Sequence, residues 1–207
     1  MEAVLTLIII ALAFLLGACP FPVWIGYAVL HTDIRKYGDG NPGSMNVFRT
    51  GRVKWGIVAL VIDLLKGMPA IFIARLLFSM PQPVLYLAAL AAVAGHAYSP
   101  FLGFKGGKAL AVFGGTLLAL YQWDVLMVLA VILIIGALFF INDAWTVLIS
   151  IAGALVYLLV TKAGVWEFVF ISGVAVIFVL KQRPFLKEMQ YPNGRLLSWI
   201  RSKNKTA

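Results

Sequence analysis

Apolar residues run along this chain in blocks separated by short polar, glycine-rich or proline-rich breaks. Seven such blocks stand out: 3–30, 55–78, 82–97, 107–121, 124–141, 144–161 and 164–180. A helix needs about 20 apolar residues to cross the hydrocarbon core of a bilayer. The pattern therefore predicts an all-α integral membrane protein, a compact bundle of about seven transmembrane helices. The third and fourth blocks are short for a full crossing. Pro81 and Pro83 open the third, and Trp123 and Asp124 mark a tight turn ahead of the fifth.

The second block contains two charges, Asp63 and Lys66. Their i, i+3 spacing puts them on one helix face. Each charge costs about 2.5–3.5 kcal/mol inside a membrane on insertion scales, so a mutually neutralising pair facing the bundle interior is expected. A purely structural pair and a group that contacts substrate both fit these residues. Gly67 and Pro69 follow directly and predict a bend.

Composition supports the membrane reading. Of 207 residues, 62% are hydrophobic and 12% charged, against about 45–50% and 25% in ordinary soluble domains. The length suits a single membrane-embedded domain over 1–207, with a basic tail from about residue 181. The net charge of +9 is concentrated at 35–54 and 181–205. Lys105 and Lys108 add a third basic segment. With seven spans, all three segments fall on one side. Basic loops face the cytoplasm and its anionic lipid, which puts the N-terminus outside and the tail inside. Nucleic-acid binding is excluded for want of a soluble basic domain; the bilayer is the expected partner. In the tail, 196–200 follow a Pro192–Asn193–Gly194 turn and predict a short amphipathic helix along the membrane surface.

Cys19 is the single cysteine, so no internal disulfide is possible. Leu16–Gly17–Ala18–Cys19 faintly resembles a lipoprotein cleavage site. No Lys or Arg precedes it and the apolar run continues past it, so it is read as part of the first span. His31 and His96 are the two histidines and no carboxylates cluster, so neither a metal site nor a cofactor is expected. No Ser–His–Asp grouping is legible, because triads are defined by geometry.

Two segments carry candidate chemistry. The first, at 38–49, reads GDGNPGSMNVFR. Its glycines let successive N–H groups converge into a concave nest that attracts oxyanions. If a helix starts near Ser44, Asn46 and Arg49 share one face, and the guanidinium can take a phosphate in bidentate fashion. A loop that merely reverses the chain accounts for the same residue types. The second, at 95–108, reads GHAYSPFLGFKGGK. Paired glycines between two lysines ahead of an apolar helix suit phosphate binding at a helix N-terminus. A basic turn obeying the positive-inside rule is the plainer account. It is not a nucleotide P-loop, because Leu102 and Ala109 stand where that signature needs Gly and Ser or Thr. His96, beside this turn, is either a proton acceptor or a brace for the loop.

At these two segments the chain resembles the bacterial acyl-phosphate:glycerol-3-phosphate acyltransferases. That family's first motif reads approximately GSGNxGATNxxR and its second approximately GHxxxxFxxFKGGK. Gly95, His96, Phe101, Phe104, Lys105, Gly106, Gly107 and Lys108 match the second. Asp63–Leu64–Leu65–Lys66–Gly67 also looks like the family's second span. The resemblance implies a seven-helix membrane enzyme with a cytoplasmic active site in the bacterial inner membrane. It implies transfer of a fatty acyl group from acyl phosphate to the 1-hydroxyl of glycerol 3-phosphate, giving lysophosphatidic acid for phospholipid synthesis. It further implies substrate phosphate binding by Asn41, Gly43, Ser44, Arg49, Lys105, Gly106, Gly107, Lys108 and Arg183. Asn46 would orient a substrate, His96 would accept a proton or brace the loop, and Asp63 and Lys66 would support the site. Other phospholipid-synthesis enzymes are conceivable partners, and the residues themselves leave an acyl-CoA donor open.

The chain also departs from the family. Asp39 and Met45 replace a serine and a threonine of the first motif, and Asn142–Asp143–Ala144–Trp145 stands where the family carries serines. The third motif, with an RHxxN core, is reduced at 183–187 to Arg183. A carboxylate at 39 would repel phosphate unless it points away or pairs with a cation. Two alternatives therefore stand beside acyl transfer: a divergent paralogue with another acceptor, and a non-catalytic membrane protein that binds phosphate or phospholipid. A transporter would need polar groups at mid-membrane depth, and only Asp63 and Lys66 offer them.

Overall fold

The computed structural model describes residues 2–139 and 143–186. The tail segment 196–200 lies outside these residues. Among the described residues every regular element is helical, and the chain divides into two units, Met1–Gln122 and Trp123–Ala207.

The first unit holds α1 (Glu2–Ala18), α2 (Phe21–Ala28), a 3-10 turn (Ile34–Lys36), α3 (Ser44–Arg49), α4 (Val53–Leu65), α5 (Pro69–Phe72), α6 (Gln82–Ala97) and α7 (Leu110–Ala119). A π turn (Ile73–Leu77) extends α5, and a second 3-10 turn (Pro100–Leu102) follows α6. The second unit holds α8 (Trp123–Phe139), α9 (Asp143–Thr161), α10 (Val165–Gln182) and a closing 3-10 turn (Arg183–Phe185). Among the described residues, five stretches are long and apolar enough to cross a membrane: Glu2–Ala28, Val53–Leu77, Gln82–Leu102, Ala144–Thr161 and Val165–Gln182. Leu110–Ala119 and Trp123–Gly136 are apolar but shorter.

Each apolar block holds helix, with two differences from the sequence pattern. The first block is broken. Pro20 and Pro22 have no N–H to give to Leu16 and Ala18, so α1 cannot run into α2. The fourth block is helical only from Leu110. Lys105–Ala109 is non-helical, and Ala109 takes a left-handed conformation with φ 60° that closes off the helix start. The second block bends where Gly67 and Pro69 predict, with Met68 N–H donating to Leu65 O at 3.0 Å in place of the proline.

Small residues let the helices of the first unit approach closely, as in other membrane bundles. A Cβ at Gly17 would run into the Ala92 carbonyl, and one at Gly95 into the Phe14 carbonyl, so α1 and α6 meet backbone to backbone. Gly115 lies likewise against Leu64, joining α7 to α4. A separate apolar cluster fastens the first loop. Val23, Ile34, Val47 and Ala59 are buried together, with Ile25, Leu30, Trp55 and Leu102 packed around them. Full burial of a Val or Ile side chain stabilises by about 1.5–3 kcal/mol, which ties the Ile34–Lys36 turn and the short α3 to α2 and α4. Phe48 of α3 lies flat against Gly56 of α4, where no side chain fits.

In the second unit Thr146 of α9 packs on Gly136 of α8, and Ile132 covers Gly153. Tyr157 Oη donates to Asp124 Oδ2 at 2.9 Å across the same two helices. Phe170, Ile171, Val174 and Phe178 form the buried face of α10.

Candidate functional site

The first loop turns between the Ile34–Lys36 turn and α3. Asp33 caps that turn and is held by Arg35 through Nε and Nη2, each at 2.9 Å, and by Tyr27 Oη at 3.0 Å. The loop then passes through Gly38 at φ 56° and Gly40 at φ 72°, a left-handed conformation that costs glycine little. Gly38 is also required sterically, because a Cβ there would strike the Arg49 guanidinium.

Asn46 is buried on α3. Its Nδ2 donates to Asn41 O at 2.7 Å, and its Oδ1 accepts from Arg49 Nη1 at 2.8 Å. The i, i+3 pairing expected for Asn46 and Arg49 is therefore present. Both ends of the Asn46 amide are engaged within the chain, so it clamps the loop and aims the guanidinium. Gly43 precedes α3 in an extended conformation with Asn41 Nδ2 against it, and Ser44 is the buried first residue of that helix.

The second loop leads from α6 to α7. Gly107 N–H donates to His96 O at 3.0 Å. A Cβ at Gly106 would meet the same carbonyl, and one at Gly107 would meet His96 Nε2. The paired glycines thus let the loop lie directly on His96. The Gly107 N–H is thus engaged by the chain itself. Phe104 and Ala109 flank the Lys105–Lys108 stretch with φ of 62° and 60°. Left-handed conformations in such residues store about 1–3 kcal/mol each and are common at ligand-binding loops.

Beneath the loop lies a buried polar chain. His96 Nδ1 is 4.0 Å from Asp63 Oδ1, and Lys66 Nζ is 2.8 Å from the same oxygen. Lys66 Nζ also donates to Cys19 O at 2.7 Å. The Asp63–Lys66 pair is buried, facing the interior as its spacing predicts. His96 is buried between Asp63 and Gly107.

The two loops meet at Asp39. Lys108 Nζ lies 2.8 Å from Asp39 Oδ2, and Arg49 Nη1 lies 3.1 Å from Asp39 Oδ1. The carboxylate that replaces the family's serine is therefore paired with cations, one on each oxygen. Burial pushes its carboxyl up; the Lys108 hydrogen bond and charge, the Asn41 N–H and the Arg49 charge outweigh that and hold it below the usual carboxylate range. Lys105, three residues before Lys108, is exposed. Arg183 opens the Arg183–Phe185 turn of the second unit and is exposed there.

The sequence reading missed Ser99, which is buried and donates from Oγ to Ala18 O at 2.6 Å. A signal for it existed. Pro22 has no N–H for the Ala18 carbonyl, and Val23 N–H goes to Pro20 O rather than to Cys19 O, so both carbonyls need other donors. Ser99 and Lys66 supply them.

Residues 7–190 match the family described as glycerol-3-phosphate acyltransferase. A glycerol-3-phosphate acyltransferase of Lactiplantibacillus plantarum is 41% identical over 129 residues, 62% of each chain. The chain thus matches about three fifths of that relative's length. The corresponding protein of Levilactobacillus brevis is 33% identical over 179 residues, 83% of this chain and 82% of that one. Among solved structures, PlsY, an integral membrane glycerol 3-phosphate acyltransferase in its glycerol 3-phosphate form, superposes with a TM-score of 0.79 at 27% identity. That superposition covers 88% of this chain and 90% of the other.

Proposed function

The chain belongs to the glycerol-3-phosphate acyltransferase family, and on that premise we propose that it transfers a fatty acyl group from acyl phosphate to the 1-hydroxyl of glycerol 3-phosphate. The hydroxyl oxygen attacks the acyl carbon, the bond from that carbon to the phosphate oxygen breaks, and the hydroxyl proton leaves with the phosphate. Lysophosphatidic acid and inorganic phosphate are the products. The reaction takes place at the cytoplasmic face of a bacterial inner membrane, where the basic loops lie.

One observation carries this reading. Arg49 and Lys108, from two loops far apart in sequence, converge on the two oxygens of a single carboxylate at 3.1 and 2.8 Å. A pair of cations so placed forms a ready anion position, and both substrates bring phosphate. Acyl phosphate is already activated, so positioning and electrostatic stabilisation suffice for catalysis. Lys105, exposed on the same loop as Lys108, is a further cation for the second phosphate. His96 and Asn46 hold the two loops in register, and Asp63 and Lys66 support His96 from below.

A second reading, a non-catalytic binder of phosphorylated lipid, is favoured by Asp39 on the cation pair and by the loss of all but Arg183 from the third motif. Turnover separates the two. Purified protein in lipid micelles is given palmitoyl phosphate and labelled glycerol 3-phosphate, and lysophosphatidic acid is followed. Product that disappears in Arg49→Ala and Lys108→Ala supports acyl transfer at this site. Full activity in both variants refutes the assignment, and no product beside an active relative favours the binder.

A further inference from the structure

We propose that Asp39 is an internal counter-anion that occupies the substrate phosphate's position, so that binding requires its displacement and the site prefers dianions. The inference rests on the proposed role of Arg49 and Lys108 as phosphate ligands. It goes beyond that role in assigning Asp39 control of acceptor affinity.

The geometry is that of a bound anion. The two Asp39 oxygens each take one cation, Nζ of Lys108 at 2.8 Å and Nη1 of Arg49 at 3.1 Å. The Lys108 and Asp39 side chains are 23% and 22% exposed and Arg49 is 42% exposed, so the cluster is shielded yet open to an entering ligand. A phosphate that reached both cations with Asp39 in place would meet a carboxylate within contact distance. Like charges that close repel strongly where water is partly excluded. One of the two anions must leave.

The loop allows it to be Asp39. Gly38 and Gly40 flank it, both at positive φ, so the turn has backbone conformations open to it that other residues rarely adopt. Apart from the two cations, the Asp39 side chain accepts Asn41 N–H at 3.3 Å, a local contact within the same turn. Displacement carries a penalty: apparent affinity falls by the fraction of molecules whose site is open. It also discriminates. A monoanion competes with a tethered group of equal charge at high effective concentration and loses. A phosphate dianion brings a second charge and wins. The resembling family carries an uncharged serine here and has no such group to displace.

Asp39→Asn is the informative variant, because it keeps the shape and the Asn41 contact while removing the charge. Asp39→Ser restores the family residue. Two measurements are made: the KM for glycerol 3-phosphate in the acyl-transfer assay, and direct binding of labelled inorganic phosphate to solubilised protein, with glycerate as a monoanionic competitor. Both KM and the phosphate Kd should fall about tenfold in each variant, a change of about 1.4 kcal/mol, with kcat moving less. Glycerate, a poor competitor in the wild type, should become an effective one. Unchanged or weaker phosphate binding in Asp39→Asn would overturn the proposal and make Asp39 a fixed bracket that orients the cations. The functional reading fails separately, by absent turnover in the wild type, or by Arg49→Ala and Lys108→Ala retaining full activity. The binding measurement still decides the role of Asp39 when turnover is absent.

Discussion

Lys66, in the middle of an apolar span, donates from Nζ to the carbonyl oxygen of Cys19 at 2.7 Å. The contact has a cause on each side. Pro20 and Pro22 break the first span, and Val23 N–H turns to Pro20 O at 3.0 Å, which leaves the Cys19 carbonyl for another donor. Lys66 needs partners because a lone ammonium is costly at membrane depth. Asp63 neutralises it at 2.8 Å, and Cys19 O takes a further N–H. Ser99 repairs the neighbouring carbonyl of Ala18. The break after α1 and the charges at the end of α4 are parts of one arrangement, and it lies under the candidate site.

Removing one partner of a buried ion pair leaves the other uncompensated, at a cost of about 3–5 kcal/mol. Lys66→Met should therefore lower the thermal midpoint of the detergent-solubilised protein markedly. Lys66→Met with Asp63→Leu should recover a large part of the loss. Tryptophan fluorescence on heating checks both. Equal midpoints for the wild type and Lys66→Met would show that the pair carries no such stability.

Ser99→Ala leaves the buried Ala18 carbonyl without its donor. An unsatisfied buried group costs about 1–3 kcal/mol, so the midpoint should drop by less than in Lys66→Met. Acyl transfer should fall only as far as the folded fraction falls. A loss of activity at full stability would instead give Ser99 a direct part in the site.

Gly107→Ala puts a methyl group onto the His96 imidazole. The loop must shift, and with it Lys108. Misplacing a catalytic group by about 1 Å can lower the rate about 100-fold. Activity should fall to that extent while the thermal midpoint changes little. Single-turnover kinetics with acyl phosphate make the comparison, and retained activity would mean that the loop yields without moving Lys108.

Acid should destabilise the first unit's loop. Asp33 and Asp39 both have carboxyls held below their ordinary value of 3.8: Asp33 chiefly by the Arg35 hydrogen bond, Asp39 by its cations against the effect of burial. A carboxyl depressed on folding contributes its full stabilisation above 3.8 and loses it as pH falls through the lower folded value. Stability should thus be flat with respect to these two groups at neutral pH and decline below about pH 4. Asp33→Asn, which removes the charge that Arg35 holds, should make that acid decline shallower; thermal midpoints collected from pH 6 down to about 3 give the slope.

The membrane-embedded helical class, the paired Asp63 and Lys66, and the alignment of Asn46 with Arg49 could be read from the sequence. All three depend on local periodicity: runs of apolar residues, and charged or amide groups one helical turn apart. The two glycine-rich motifs also carried the family resemblance, since they are contiguous strings.

What tertiary structure decided are relationships between distant segments. The residue types at 39 and 108 do not say that Lys108 and Arg49 grip the two oxygens of Asp39. Nor does the Gly106–Gly107 pair announce that one of its N–H groups belongs to the His96 carbonyl, or that both glycines exist to let the loop rest on that residue. Nothing local to Ser99 says that its hydroxyl meets the Ala18 carbonyl, 81 residues away in sequence. Periodicity fixes which face a side chain takes on its own helix. Which donor meets which acceptor across helices depends on how closely the backbones approach, and here Gly17, Gly95 and Gly115 set that distance.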